Sequence, residues 1–135
     1  MADIRILIAD DEKVVRDALA DLIEASEGMT VAAVVSDADA AIAAATRRRP
    51  DIALVDVRMP GGGPKATRGI LRNCPNTQVL ALSASGGRDT VLEMLEAGAA
   101  GYLIKGILPS EVIAEIRRVA LGKMLPSAVV PTGKP

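Results

Sequence analysis

The 135-residue chain has no histidine, no tryptophan and no phenylalanine, and Tyr102 is its only aromatic residue. Without histidine, a Cys–His nucleophile pair is excluded. With one aromatic ring there is almost no platform for base stacking, which argues against single-stranded nucleic-acid binding. Acidic and basic residues nearly cancel, leaving a formal net charge of −1, so no global field draws the chain onto DNA or an anionic membrane. Cys74 is the single cysteine; no internal disulfide can form, and a reducing compartment is expected. The plain expectation for Cys74 is a partly buried small residue near a helix end. Asp3, Asp10 and Asp11 interrupt the amino terminus, so no signal peptide is read there. No apolar stretch approaches the ~20 residues that cross a bilayer. A soluble, cytoplasmic protein with no membrane partner is the expectation.

What is present is aliphatic. Half of the residues are apolar, almost all Ala, Val, Ile and Leu, and they come in short blocks, as in a chain that folds on its own. The length suits one domain with one core. Five apolar runs, at 4–9, 30–35, 51–55, 78–82 and 101–104, read as strands, and several are continuous, as when both faces of a strand are covered. Helical segments alternate with them. Val14, Val15, Ala18, Leu19, Leu22 and Ile23 mark one apolar face, with Gly28 as a stop signal. The Ala-rich segment 37–49 ends in three arginines before Pro50; 64–73 opens on a proline; 88–97 stops at Gly98; 109–121 stops at Gly122. Five strands alternating with five helices predict a (βα)5, doubly wound parallel sheet with right-handed crossovers.

In such sheets functional groups gather at the carboxyl ends of the strands. Asp10 and Asp11 follow the first run, Asp56 the third, Ser83 the fourth and Lys105 the fifth. Three carboxylates at one point repel one another, and a hard divalent cation such as Mg2+ with oxygen ligands relieves that. Asp56 is also a competent nucleophile. A carboxylate is ionised near neutral pH and needs no general base, so the missing histidine does no harm. Lys105 and Ser83 would bind the remaining oxygens of a transferring phosphoryl group. Singly, each of these residues reads more readily as a helix cap or an ordinary surface residue; their joint placement at strand ends carries the argument.

The matching stretches LIADDE (7–12), DIALVDVRMPG (51–61), VLALSAS (79–85) and EAGAAGYLIKG (96–106) resemble the receiver domain of bacterial two-component response regulators over roughly residues 4–121. The resemblance implies a flavodoxin-like, CheY-like fold, with Asp56 phosphorylated by a sensor histidine kinase through its phosphohistidine. It implies Asp11 as a direct Mg2+ ligand, Asp10 acting through water, and the backbone carbonyl of Arg58 completing the set. Ser83 takes the place of the conformational Ser/Thr, Tyr102 that of the switch aromatic, and Lys105 that of the family lysine. The domain is expected to be a signalling switch that assists its own phosphorylation and autodephosphorylation, and not an enzyme in the usual sense. A phosphoryl group at Asp56 would draw Ser83 inward and vacate space for Tyr102.

The sequence departs from the family pattern in three places. Gly106 replaces the usual proline after the lysine, which loosens the expectation for the Lys105 loop. Gly61, Gly62 and Gly63 follow Pro60; their spacing does not fit a nucleotide-binding loop, and a mobile turn into the next helix is expected. Arg58 sits on the pocket rim, placed to pair with Glu12 or to screen the phosphoryl group. Residues 1–122 are read as the receiver and 123–135, rich in proline, as a linker or tail. The GYLIKG ending resembles receivers that precede a helix-turn-helix DNA-binding domain; none is among these residues, and a piece cut at the linker is preferred to a stand-alone receiver acting by protein contacts. Arg117 and Arg118 are open to a homodimer contact, with a solvated face as the plainer reading. A haloacid-dehalogenase-type phosphatase would want a second acid where Arg58 stands and a cap domain. A flavodoxin-like electron carrier would want a phosphate loop where Asp10, Asp11 and Glu12 stand.

Overall fold

The computed structural model describes residues 2–84 and 87–124. In chain order they form β1 (Ile4–Ala9), α1 (Lys13–Glu24), β2 (Met29–Val35), α2 (Ala38–Arg48), β3 (Ile52–Asp56), α3 (Gly63–Asn73), β4 (Gln78–Ser83), α4 (Arg88–Ala97), β5 (Gly101–Ile104) and α5 (Pro109–Met124). The strands make one parallel sheet in the order β2-β1-β3-β4-β5. This is the doubly wound (βα)5 architecture expected from the alternating runs. The chain reverses direction across the sheet at β1, so a crevice opens between the carboxyl ends of β1 and β3.

Successive side chains of a strand point to opposite faces, and here each face has its own core. Leu7, Ala9, Ala53, Val55, Val79 and Ala81 meet Ala38, Ala41, Ala44 and Ala45 of α2, Ala66 and Ile70 of α3, and Met94 of α4. Ile6, Ile8, Ile52, Leu54, Leu80 and Leu82 meet Ile23 of α1 and Val112, Ile113, Ile116 and Val119 of α5. That explains the continuous apolar runs: β3 is buried from end to end. The edge strands β2 and β5 are the exceptions. Each has a neighbour on one side only, and Val34, Tyr102 and Ile104 are exposed.

The helix ends follow local chemistry. Asp37 caps α2 by accepting the Ala40 N–H at 2.8 Å. Arg49 ends the helix in the left-handed conformation (φ 49°), and Pro50 prevents continuation. Gly98 (φ 116°) ends α4 as expected. Two glycine signals act otherwise. α1 stops at Glu24 with Ala25 as its cap, and Gly28 (φ 80°) instead turns the chain into β2 while its carbonyl accepts the Ile4 N–H at 2.8 Å. Gly122 lies inside α5, which runs on to Met124; Gly122 has no positive φ, so nothing unwinds the helix there. The expected linker at 123–135 therefore starts with two helical residues, and 125–135 lie outside the described residues.

The glycine turn after Pro60 is packed, in contrast to the mobile turn expected. Pro60 O accepts the Ala38 N–H at 2.9 Å, Met59 O the Gly62 N–H at 2.7 Å, and Val57 O the Gly63 N–H at 3.0 Å. A β-carbon on Gly63 would stand 2.6 Å from Asp56 O and 2.7 Å from Val57 Cα, so only glycine lets α3 begin this close to the end of β3. Cys74 is buried at the end of α3, its thiol donating to Ala45 O at 3.2 Å. Arg117 donates to Glu27 O at 3.0 Å and Arg118 makes a two-point pair with Glu115, so both arginines are engaged within the chain.

Candidate functional site

The site is built where β1, β3, β4 and β5 end. Asp10 continues β1 by giving its backbone N–H to Val35 O at 3.1 Å, and it is fully buried. Its Oδ1 accepts the Glu12 N–H at 2.8 Å, and its carbonyl accepts from the Arg16 guanidinium at 2.9 Å. Its Oδ2 lies 2.8 Å from Lys105 Nζ but accepts no hydrogen bond, so the contact is an ion pair off the hydrogen-bonding direction. Asp56 is the last residue of β3 and is 3% exposed; its Oδ1 accepts the Arg58 N–H at 3.2 Å. Ser83 is the last residue of β4 and is buried. Lys105 follows β5, tied by its backbone N–H to Ser83 O at 2.8 Å.

The Lys105 ammonium reaches three carboxylates: Asp10 Oδ2 at 2.8 Å, Glu12 Oε1 at 2.9 Å and Asp56 Oδ1 at 3.3 Å. Burial works against its charge. The hydrogen bond to Glu12 and the close Asp10 carboxylate, with the charge of Asp56, outweigh burial and hold its pKa above the usual lysine range. Asp56 moves the other way from most paired acids. Burial raises its pKa to about 6; the Arg58 N–H opposes this, Asp10 adds to it, and Lys105 only partly offsets it.

Among the described residues, Asp10, Asp11 and Asp56 each offer one carboxylate oxygen within 4.8 Å of the others, a grouping that could hold a metal ion. The fit to a hard divalent cation is supported by chemistry on the spot. All donors are oxygens, one buried acceptor has no hydrogen bond, and burial makes the Asp56 charge unfavourable without added positive charge. A cavity of about 460 Å³ lies over them, lined by Asp11, Glu12, Asp56, Arg58, Ser83, Thr90 and Lys105 among others.

The structure thus brings Asp10, Asp11, Asp56, Ser83 and Lys105 together. Arg58 stands on the rim, exposed, and forms no ion pair among the described residues; the pairing with Glu12 does not occur because Lys105 takes that carboxylate. Tyr102 does not line the cavity. It is 46% exposed on β5, beside a separate recess with Ile104, Ile107, Glu111 and Glu115. Thr90, which arrives with the first turn of α4, carries no sequence signal for the site, and Glu12, expected as a partner for Arg58, is instead the partner of a lysine 93 positions away.

A doubly wound sheet with a metal-competent acidic pocket at its switch point defines the class of protein. Residues 6–117 match the family described as the response regulator receiver domain, and the chain belongs to that family. It is a receiver domain of the response regulators of two-component systems, a signalling family. It is similar to the "Uncharacterized transcriptional regulatory protein YxjL" of Bacillus subtilis, 38% identical over 123 residues, covering 90% of this chain and 56% of that protein. It is also similar to response regulator GacA of Pseudomonas viridiflava, 35% identical over 121 residues, covering 89% and 56%. The chain thus spans a little over half the length of these relatives. Among solved structures it resembles a LuxR-family response regulator from Aurantimonas (34% identity, 90% of this chain and 87% of that one, TM-score 0.83). It also resembles the receiver domain of the putative regulator NarL from Mycobacterium tuberculosis (29%, 90% and 99%, TM-score 0.85). These matches do not favour the phosphatase alternative. No described helix is long and apolar enough to cross a membrane.

Proposed function

We propose that this domain accepts a phosphoryl group on Asp56 from the phosphohistidine of a sensor histidine kinase in the cytoplasm, and that the modification switches its surface. The observation that carries the reading is the convergence of Asp10, Asp11 and Asp56 with Lys105 at the open end of the sheet. Asp10, Asp11, Asp56 and the Arg58 carbonyl would hold Mg2+, which when bound supplies charge neutralisation for the phosphoryl oxygens. Asp56 Oδ1 is engaged by the Arg58 N–H and Lys105, so attack on phosphorus falls to the other carboxylate oxygen. An O–P bond forms, the P–N bond to the donor imidazole breaks, and the imidazole nitrogen takes up a proton. Lys105 and Ser83 bind the phosphoryl oxygens. Hydrolysis reverses the state: water attacks phosphorus, the O–P bond breaks, and phosphate leaves with the carboxylate restored.

The added dianion gives Ser83 a new partner and shifts the Tyr102 side of β5 together with α4. By likeness to the transcriptional regulators and the LuxR-family structure, the switched surface controls a helix-turn-helix DNA-binding output, with residues 1–122 as the receiver and the residues after α5 as the connection. The test is incubation with Mg2+ and a small phosphodonor, or with a phosphorylated kinase, followed by intact mass. A phosphate-sized gain absent from Asp56→Asn is expected. Beryllofluoride that leaves both the Tyr102 fluorescence and the amide NMR spectrum unchanged would sink the reading.

A further inference from the structure

Glu12 does little for its own helix. It is the residue that caps α1, yet its side chain makes no capping hydrogen bond, and that side chain is 60% exposed. Its carboxylate holds Lys105 instead, accepting from Nζ at 2.9 Å. With Asp10 Oδ2 at 2.8 Å and Asp56 Oδ1 at 3.3 Å, three carboxylates face an ammonium that has three N–H donors. Of the three contacts, that to Glu12 is a hydrogen bond and that to Asp10 an ion pair off the hydrogen-bonding direction, so the ammonium is surrounded by charge.

On the reading of Asp56 as acceptor, a phosphoryl group there brings oxygens that compete for Lys105 with the carboxylates already around it. The Asp10 and Asp56 side chains are 0% and 5% exposed, so releasing either would leave a charge uncovered in the interior. Glu12 on release returns to water. Gly106 (φ 94°) follows Lys105 with open space where a β-carbon would stand, so no side chain packs against the backbone there. We infer that Glu12 is a positioning residue for Lys105, tethering the ammonium in the unphosphorylated state and giving it up to the phosphoryl oxygens. The tether stabilises only the empty pocket, so it biases the switch toward its resting state.

The test is calorimetric titration of the full chain with beryllofluoride in Mg2+, a phosphoryl mimic whose binding needs no kinase. Glu12→Gln removes the charge; Glu12→Asp keeps the charge but shortens the reach. Both should bind about 2- to 5-fold tighter than wild type, the range of an exposed ion pair lost from the resting state alone. In a Lys105→Met background, Glu12→Gln should make no difference. Tightening by Gln but not by Asp, or tightening that persists without Lys105, would assign the effect to through-space repulsion and overturn the tether. Equal affinity of all three chains would overturn it too. If wild type itself binds no beryllofluoride, the phosphoacceptor reading fails first and the tether with it, whereas wild-type binding with unaltered variants removes the tether alone.

Discussion

The two ends of the same sheet treat polar groups in opposite ways. At the amino edge, polar groups find partners. Asp51 accepts the Arg5 N–H at 2.9 Å, the Arg5 guanidinium donates to the last carbonyls of α2 at Arg48 and Arg49, and Arg49 in turn donates to Asn73 O. The buried Thr77 hydroxyl donates to Pro50 O at 2.7 Å. At the carboxyl edge, the carboxylates of Asp10, Glu12 and Asp56 share one ammonium, one buried oxygen accepts no hydrogen bond, and burial pushes Asp56 toward neutrality. One end is arranged to hold the fold together. The other stores unfavourable charge that a divalent cation would relieve.

The largest effect that would break this contrast is at Asp56. Asp56→Asn should abolish the phosphate-sized mass gain, yet stabilise the Mg2+-free protein near neutral pH by about 2–3 kcal/mol. The folded pKa of about 6 lies above the ordinary 3.8, so folding takes up a proton between them. The favourable contribution is therefore full below about 4 and lost as pH rises through about 6. Denaturant unfolding of both chains from acid to neutral pH should show the difference growing with pH; a wild type more stable than the variant at neutral pH without Mg2+ would contradict the stored-charge picture.

Next in size is the amino edge. Thr77→Val removes a buried hydroxyl whose partner, Pro50 O, loses a donor, and should cost about 1–2 kcal/mol while phosphoryl incorporation is unchanged. A variant as stable as wild type would mean that this edge is not held by its hydrogen bonds. Smaller again is Arg58→Ala. The exposed guanidinium on the rim is expected to shield the acyl phosphate from water, so the variant should lose its phosphoryl group severalfold faster, with stability unchanged within about 0.5 kcal/mol. An unaltered phosphoryl lifetime would remove Arg58 from the site. Smallest is Lys13→Ala, which breaks an ion pair with Asp17 between side chains 78% and 60% exposed. A change above about 0.5 kcal/mol in thermal or denaturant unfolding would be a surprise for such a pair.

Much of the fold was legible because burial on both faces leaves a direct trace. The runs at β1, β3 and β4 are apolar without alternation, and the residues that end them are polar because the crevice begins there. Helix stops were legible only where a residue's backbone preference and its place agreed. Gly98 stops a helix through its positive φ; Gly28 and Gly122 carry the same letter, but one shapes a turn and the other continues a helix. The glycines after Pro60 looked like slack. At Gly61 and Gly63, Ala38, Asp56 and Val57 approach too closely for a β-carbon, a constraint invisible until α2 and α3 are packed, while Gly62 holds a positive φ of 89°.

By itself the sequence determined the alternation of strands and helices, the parallel sheet and the identity of the five residues at its open end, since these depend on local pattern and on chain direction. Only the tertiary structure decided that Lys105 takes Glu12, Asp10 and Asp56 at once, that Arg58 on the rim does not pair with Glu12, and that Tyr102 faces away from the pocket toward α5. The physical reason is reach. An ammonium on a long stem chooses among carboxylates by distance and exposure, and those are set by where β1, β3 and β5 end in space, not by their order along the chain.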